Sequence, residues 1–362
     1  MSDARTRVLV LYGGRSSEHS ISCVSAGSVL AAMDRARFDP ICVGITPSGS
    51  WLLQDPDPGE LVIRNGILPT VDPTGDPVTL SLDPDRHGLW VERQTGARPW
   101  FPIDVVFPVL HGPHGEDGTV QGLFDVASLP YVGSGVLASA ACMHKATTKR
   151  LLQAAGIPAG SWHSFTRGQW PGPHVDVVRG LGWPLFVKPA RAGSSMGVSK
   201  VADMDALHAA VDSAAEHDQH LIVEAGVQSA REIECGVLQG SGDNPRASVC
   251  AEIKVRSGHE FYDFEAKYLD DSVDLIVPAE IPVDLADRIR EVAVRAFQAL
   301  DCRGLARVDF FVDSAGEVMV NEINTMPGFT SISMYPRMWQ ASGVTYQDLI
   351  ATLLDEALHR RG

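Results

Sequence analysis

Twenty residues near the carboxyl end, LARVDFFVDSAGEVMVNEIN (305–324), restrict the fold more than any other stretch. Two apolar runs flank Asp313-Ser-Ala-Gly316, which is turn chemistry, so the segment reads as a β-hairpin. A four-residue loop pairs Val312 with Glu317, which sets Asp309 opposite Val320 and Arg307 opposite Glu322. Side chains alternate across a strand, so Arg307, Asp309, Glu322 and Asn324 share one face. An odd-length loop would turn Asp309 to the other face. Two carboxylates and a carboxamide form an all-oxygen donor set. It suits Mg²⁺, a hard ion that keeps waters and shares substrate phosphates. Glu322, with two oxygens, has the capacity to bridge two ions. The plainer alternative is a solvated face carrying an Arg307–Glu322 cross-strand pair.

A second glycine-rich stretch, KPARAGSSMGVSKV (188–201), lies between two short strands. It lacks G-K-[ST], so it is no Walker loop. Its small residues let backbone N–H groups approach a phosphate, and Ser194 and Ser195 add hydroxyl donors. Lys188, on an apolar strand, is costly there unless an anion meets it. A hairpin tip with a snorkelling lysine is the alternative.

The bulk properties exclude several classes. The formal charge is −15, which argues against a nucleic-acid partner but not against a small anion held by a few local cations. The six cysteines form no CxxC pair and suggest neither a zinc site nor a disulfide framework, as expected of thiols in a reducing cytoplasm. The first apolar run, VLVLY, is too short for a signal-peptide core, and no run reaches the ~18 residues of a membrane span. With 44% apolar residues, a chain of 362 residues divides into two or three domains.

RVLVLYGGRSSEHSISCVSAGSVLAAMD reads as strand, glycine turn and helix, and FDPICVGIT as a second strand: the start of an open parallel sheet. No G-x-G-x-x-G is present, so a dinucleotide site is not indicated. Residues 54–99 are dense in Pro, Asp and Gly. They read as a surface insertion with little chemistry, in which VTLSL and LWVE form a short hairpin. IDVVFPVLHG returns to the sheet. One helix is expected over ACMHKATTKRLLQAAG (141–156), another around 203–216, a strand at 220–224, and strands in EIECGVL and ASVCAEI. A polar loop (256–272) and helices at 284–300 and 345–360 complete the chain.

Six segments in order, GGRSSEHS, HGPHGEDGTVQG, KPARAGSSMGVSKV, FYDFEAKY, ARVDFF and NEINTMPGFTSIS, make the chain resemble the D-alanine–D-alanine ligase family of ATP-grasp enzymes. The 54–99 insertion looks like that of the longer subgroup. The resemblance implies an α/β, three-domain ATP-grasp fold: an N-terminal open parallel sheet (1–134), then two α+β domains (135–224 and 225–362) clasping the nucleotide. It implies ATP and two Mg²⁺ or Mn²⁺ ions. Lys145, Lys188 and Lys267 would contact phosphates, with the 193–197 loop, which includes Gly193, Ser194 and Ser195, as a lid. Glu224, Ala225 and Val227 would form the adenine hinge, and Glu232 would bind ribose. Asp309, Glu322 and Asn324 would hold the metals.

For the substrates, Glu18 would bind the ammonium of the first D-alanine, linked to Ser194 and Tyr268. Ser333 would bind the carboxylate of the second, with the Gly328 N–H at the oxyanion. A carboxylate is a poor acyl donor because its leaving group is oxide; phosphorylation makes an acyl phosphate that the second amine attacks. Charge neutralisation by metals, Lys267 and Arg307 would carry that transfer. The 256–272 loop would close over it and exclude water. A cytoplasmic homodimer that binds neither nucleic acid nor membrane is expected. The competing functions are a D-alanine–D-lactate or D-alanine–D-serine ligase, another ATP-grasp carboxylate–amine ligase, and a nucleotide-binding regulator without turnover. His111 is open between orienting substrate, stacking on the lid and being an ordinary loop histidine. Glu116 and Asp117 are open between binding substrate and capping the next helix, with capping the expectation.

Overall fold

The computed structural model describes residues 5–240, 242, 244–255 and 273–360. The chain opens with β1 (Thr6–Gly13), α1 (His19–Ala32), β2 (Phe38–Ile45) and β3 (Trp51–Gln54). A small antiparallel sheet follows, built from β4 (Val78–Leu80), β5 (Gly88–Val91) and β6 (Trp100–Pro102), before β7 (Val105–Val109) rejoins β1. The first sheet has the order β3-β2-β1-β7. β1, β2 and β7 run parallel, as expected, and β3 adds an antiparallel edge not anticipated from the sequence. β1 is buried on both faces, which is why it reads as an unbroken apolar run. Val8, Val10 and Tyr12 pack with α1, whereas Leu9 and Leu11 pack with Phe124 on the opposite side.

Next come α2 (Thr119–Val126), α3 (Val136–Met143) and α4 (Lys145–Ala154). The single helix expected over 141–156 is two helices. His144 is extended, its ring accepts the Thr147 N–H, and the Lys145 N–H leaves the helix pattern for the Ala190 carbonyl at 2.9 Å. The break aims the first turn of α4 at the glycine loop.

The second sheet, order β10-β9-β11-β8, is wholly antiparallel: β8 (Trp162–Thr166), β9 (Leu185–Pro189), β10 (Ser199–Val201) and β11 (His220–Ala225). α5 (His174–Arg179) and α6 (Met204–Ala215) supply its apolar cover, through Val178, Leu207 and Val211. The third, order β14-β13-β12-β15-β16, joins β12 (Arg231–Leu238), β13 (Arg246–Val255), β14 (Val273–Ile276), β15 (Leu305–Val312) and β16 (Val318–Asn324). α7 (Val283–Ala299) covers one face of it, and α8 (Met334–Ala341) and α9 (Tyr346–His359) end the chain. Val308, Phe310, Val312, Val318, Val320 and Ile323 pack in one core with α7. Each such burial stabilises by about 1.5–3 kcal/mol.

The β15–β16 register differs from the expected one. Asp313 N–H bonds the Glu317 carbonyl and Gly316 sits at φ +82°, so three residues, not four, form the loop. That pairs Val312 with Val318 and Phe310 with Val320. A bulge at Asn321 then shifts the ladder, and Asp309 faces Glu322 while Arg307 faces Asn324. The odd loop and the bulge cancel. Without the bulge, Glu322 and Asn324 would share the core face with Val318 and Val320. With it, all four polar residues share the face away from α7, as expected but for a different reason.

Candidate functional site

Two cavities open between the sheets and meet at one wall. The larger, about 480 Å³, is lined by Glu18, His111, Glu116, Asn324, Gly328 and Ser333 among others. The smaller, about 370 Å³, is lined by Lys188, Ser195, Glu224, Ala225, Val227, Glu232 and Asp309. Lys145, Gly193, Ser194, Glu234, Arg307 and Glu322 border both. Every described residue nominated from the sequence thus lines at least one cavity. Lys267 and Tyr268, with the rest of 256–272, lie outside the described residues.

At the shared wall, Arg307 grips Asp309 with two bonds of 2.7 Å and lies 3.2 Å from Glu234. The Arg307–Glu322 pair considered from the sequence is replaced by this fork, although Glu322 is close enough to add to the field on Arg307. Burial works against that guanidinium, but the carboxylates outweigh it and raise its pKa further. The Asn324 amide donates to Asp309 at 3.0 Å, leaving its carbonyl oxygen for another partner. Glu234, 3% exposed and opposite Asp309 across β12, escaped the sequence reading because strand position alone does not say which cavity a side chain meets.

In the larger cavity, the Ser194 hydroxyl donates to Glu18 at 2.7 Å, joining the glycine loop to the start of α1. Ser194 and Ser195 both sit at positive φ, 49° and 58°, a backbone shape costly for side-chain-bearing residues and stored where the loop bends over the cavity. Gly112 is required nearby: a Cβ there would lie 2.8 Å from Glu18 Oε2, at φ +73°. His111 bonds the Met326 carbonyl through Nδ1 and Ser25 Oγ through Nε2, both at 3.1 Å. Burial lowers its pKa, so the neutral ring donates from Nδ1 and accepts at Nε2. It is a satisfied histidine tying β7 to the 326 loop.

Neither acidic residue is the cap of α2, a place held by Gly118 without a side-chain bond; Asp117, one residue earlier, accepts the Thr119 and His114 N–H groups. Glu116 accepts the Gly112 and Met326 N–H groups, and burial beside Glu18 pushes its carboxyl up to about 8. Ser333 bonds Thr330 at 2.7 Å. Val62 and Ile63, from the insertion read as lacking chemistry, also line this cavity.

In the smaller cavity, Lys145 donates to the Ala192 carbonyl at 2.5 Å. Glu224 sits between Lys188, at 2.5 Å, and Lys149, at 3.0 Å. Lys149 was not foreseen; it lies one turn past Lys145 on the same face of α4.

The N-terminal family model described as "D-ala D-ala ligase N-terminus" matches residues 7–134, and "D-ala D-ala ligase C-terminus" matches 151–355. The chain belongs to the D-alanine–D-alanine ligase family. It is 55% identical to the D-alanine–D-alanine ligase of Mycobacterium sp. (strain KMS), over 98% of this chain and 97% of that one. Among solved structures it resembles the VanG D-Ala:D-Ser ligase of Enterococcus faecalis, with TM-score 0.87, 35% identity, and coverage of 98% and 100%. It also resembles the D-alanine–D-alanine ligase of Coxiella burnetii, with TM-score 0.82, 33% identity, and coverage of 98% and 94%. The open parallel sheet followed by two antiparallel ones is the ATP-grasp architecture of this ligase family.

Proposed function

We propose that the chain joins two D-alanines into D-alanyl-D-alanine at the expense of ATP, supplying a peptidoglycan precursor. The observation that carries this is the single wall between the two cavities. It bears a guanidinium, a lysine, a serine loop and carboxylates, with room for a nucleotide on one side and for amino acids on the other.

In this reading Lys145 and Lys188 meet the phosphates, Glu224, Ala225 and Val227 form the adenine hinge, and Glu232 meets the ribose. Glu18, oriented by Ser194, takes the ammonium of the first D-alanine. Its carboxylate then faces the terminal phosphate across the wall, and the Arg307 fork neutralises charge as the phosphoryl group moves. The second D-alanine, its carboxylate at Ser333, attacks the resulting acyl phosphate, with the Gly328 N–H at the oxyanion. Phosphate leaves.

A divalent cation fits the donor chemistry of Asp309, Glu322 and Asn324, although among the described residues no group of three or more His, Cys, Asp or Glu is arranged to hold one. Arg307 and the Asn324 amide hold Asp309 in place, and the Asn324 bond uses its N–H rather than its carbonyl oxygen. Two Mg²⁺ or Mn²⁺ ions are proposed there; such ions shield phosphate charge during transfer. The domain limits 1–134, 135–224 and 225–362, a homodimer and a cytoplasmic location belong to the same proposal. No helix among the described residues is long and apolar enough to cross a membrane.

The likeness to a D-Ala:D-Ser ligase favours one second reading, in which D-serine replaces the second D-alanine. Offering D-alanine, D-serine and D-lactate together with ATP, and identifying the product, separates them. Alanyl-alanine as the main product supports the proposal, and a mixed product overturns its second-substrate assignment.

A further inference from the structure

We infer that Lys149, which touches neither cavity, is a positioning residue for nucleotide phosphates: by offsetting Glu224 it leaves Lys188 as a net positive charge facing the smaller cavity. This rests on the ATP reading of that cavity.

α4 presents Lys145 and Lys149 one turn apart. Lys145 borders both cavities, whereas Lys149 lies deeper, 5% exposed. Its ammonium donates to the Ala159 carbonyl at 2.7 Å and lies 3.0 Å from Glu224 Oε1. The other Glu224 oxygen takes the Lys188 ammonium at 2.5 Å. Only Lys188 and Glu224 of the three line the cavity.

Lys188 with Glu224 alone is a neutral pair, and an anion approaching it meets attraction and repulsion together. Adding Lys149 behind Glu224 leaves the group with one net positive charge, on the cavity side. Burial limits screening by water and salt, so the charge is felt. Two ammoniums hold Glu224 at about 2 against the pull of burial, and the neighbouring carboxylates, Glu224 first, keep Lys188 above its ordinary value despite its own burial. The strand carrying Glu224 is also the proposed adenine hinge. A hinge support and a charge balance therefore predict different ligand dependence.

The test is calorimetric binding of ADP and of adenosine, without divalent cation, to the full chain and its variants. Lys149→Met is expected to weaken ADP about tenfold, about 1.4 kcal/mol, while adenosine changes by less than about twofold. Lys149→Arg keeps the net positive charge and should hold ADP to within about threefold of wild type. Equal weakening of adenosine and ADP, or unaltered ADP binding, overturns the inference. Should Lys149→Met fail to fold, Lys149→Gln decides: a loss of about tenfold confined to ADP supports the charge balance, and unaltered ADP binding or an equal loss of adenosine contradicts it. Wild-type protein that binds neither ligand would instead overturn the nucleotide reading itself.

Discussion

Replacing Glu224 by glutamine removes the buried charge between Lys149 and Lys188 and tests the electrostatics at the base of the nucleotide cavity. Burial would raise this carboxyl, yet the two ammoniums hold it at about 2 against an ordinary value of 4.5. That difference is worth about 3 kcal/mol of stability at neutral pH. A lowered carboxyl pKa adds stability above pH 4.5 and loses it as pH falls towards 2. By about pH 3 roughly half of the contribution is gone. The substitution would also leave two buried ammoniums without their counter-ion, which adds to the loss. Global unfolding is followed by the fluorescence of the seven tryptophans, one of which, Trp162, lies directly across from Glu224 in the β8–β11 ladder. With urea m-values of about 1–3 kcal/mol/M, Glu224→Gln should lower the unfolding midpoint by roughly 1–3 M at pH 7, and by clearly less near pH 3. A midpoint change below about 0.3 M at pH 7, or one of the same size at both pH values, would refute the reasoning.

Other perturbations separate the remaining parts of the site. Glu322→Gln should abolish phosphate release while leaving the circular dichroism spectrum intact; retained turnover would remove Glu322 from the cation site. Ser194→Ala breaks the 2.7 Å bond to Glu18, a bond to a charged group, and should raise the KM for D-alanine by about tenfold or more; an unchanged KM would dissociate the loop from substrate binding. Glu116 has the opposite sign to Glu224. Burial pushes it up to about 8, so its contribution is full below the ordinary carboxyl value and is lost as pH rises through about 8. Glu116→Gln should therefore flatten the fall in Tm between about pH 5 and 8, and an equal fall in both proteins would contradict the burial argument.

The sequence was most readable where local chemistry decides the outcome. The strand–glycine–helix opening, the parallel β1 and β2, the hairpin at 305–324 and the glycine loop after Lys188 all form where turn residues and alternation place them. Contacts between distant segments were less readable. Nothing in NEIN announces the extra residue at Asn321, because a bulge is stabilised by pairing across the sheet. The face shared by Asp309 and Glu322 was therefore reached through a wrong loop length. His144 breaks a helix that the apolar spacing continues, since the Ala190 carbonyl that takes the Lys145 N–H comes from another element. Lys149 and Glu234 resemble surface residues in any local window and became buried only when sheets met. Val62 and Ile63 reach the larger cavity from an insertion that reads only as turns and one short hairpin.

The central claim is that one wall couples a nucleotide to two amino acids, and a stoichiometric turnover measurement tests it most directly. Purified protein with ATP, Mg²⁺ and D-alanine should form ADP, phosphate and D-alanyl-D-alanine in equal amounts. Phosphate release no faster with D-alanine than without it, or hydrolysis that yields no dipeptide, would contradict the account.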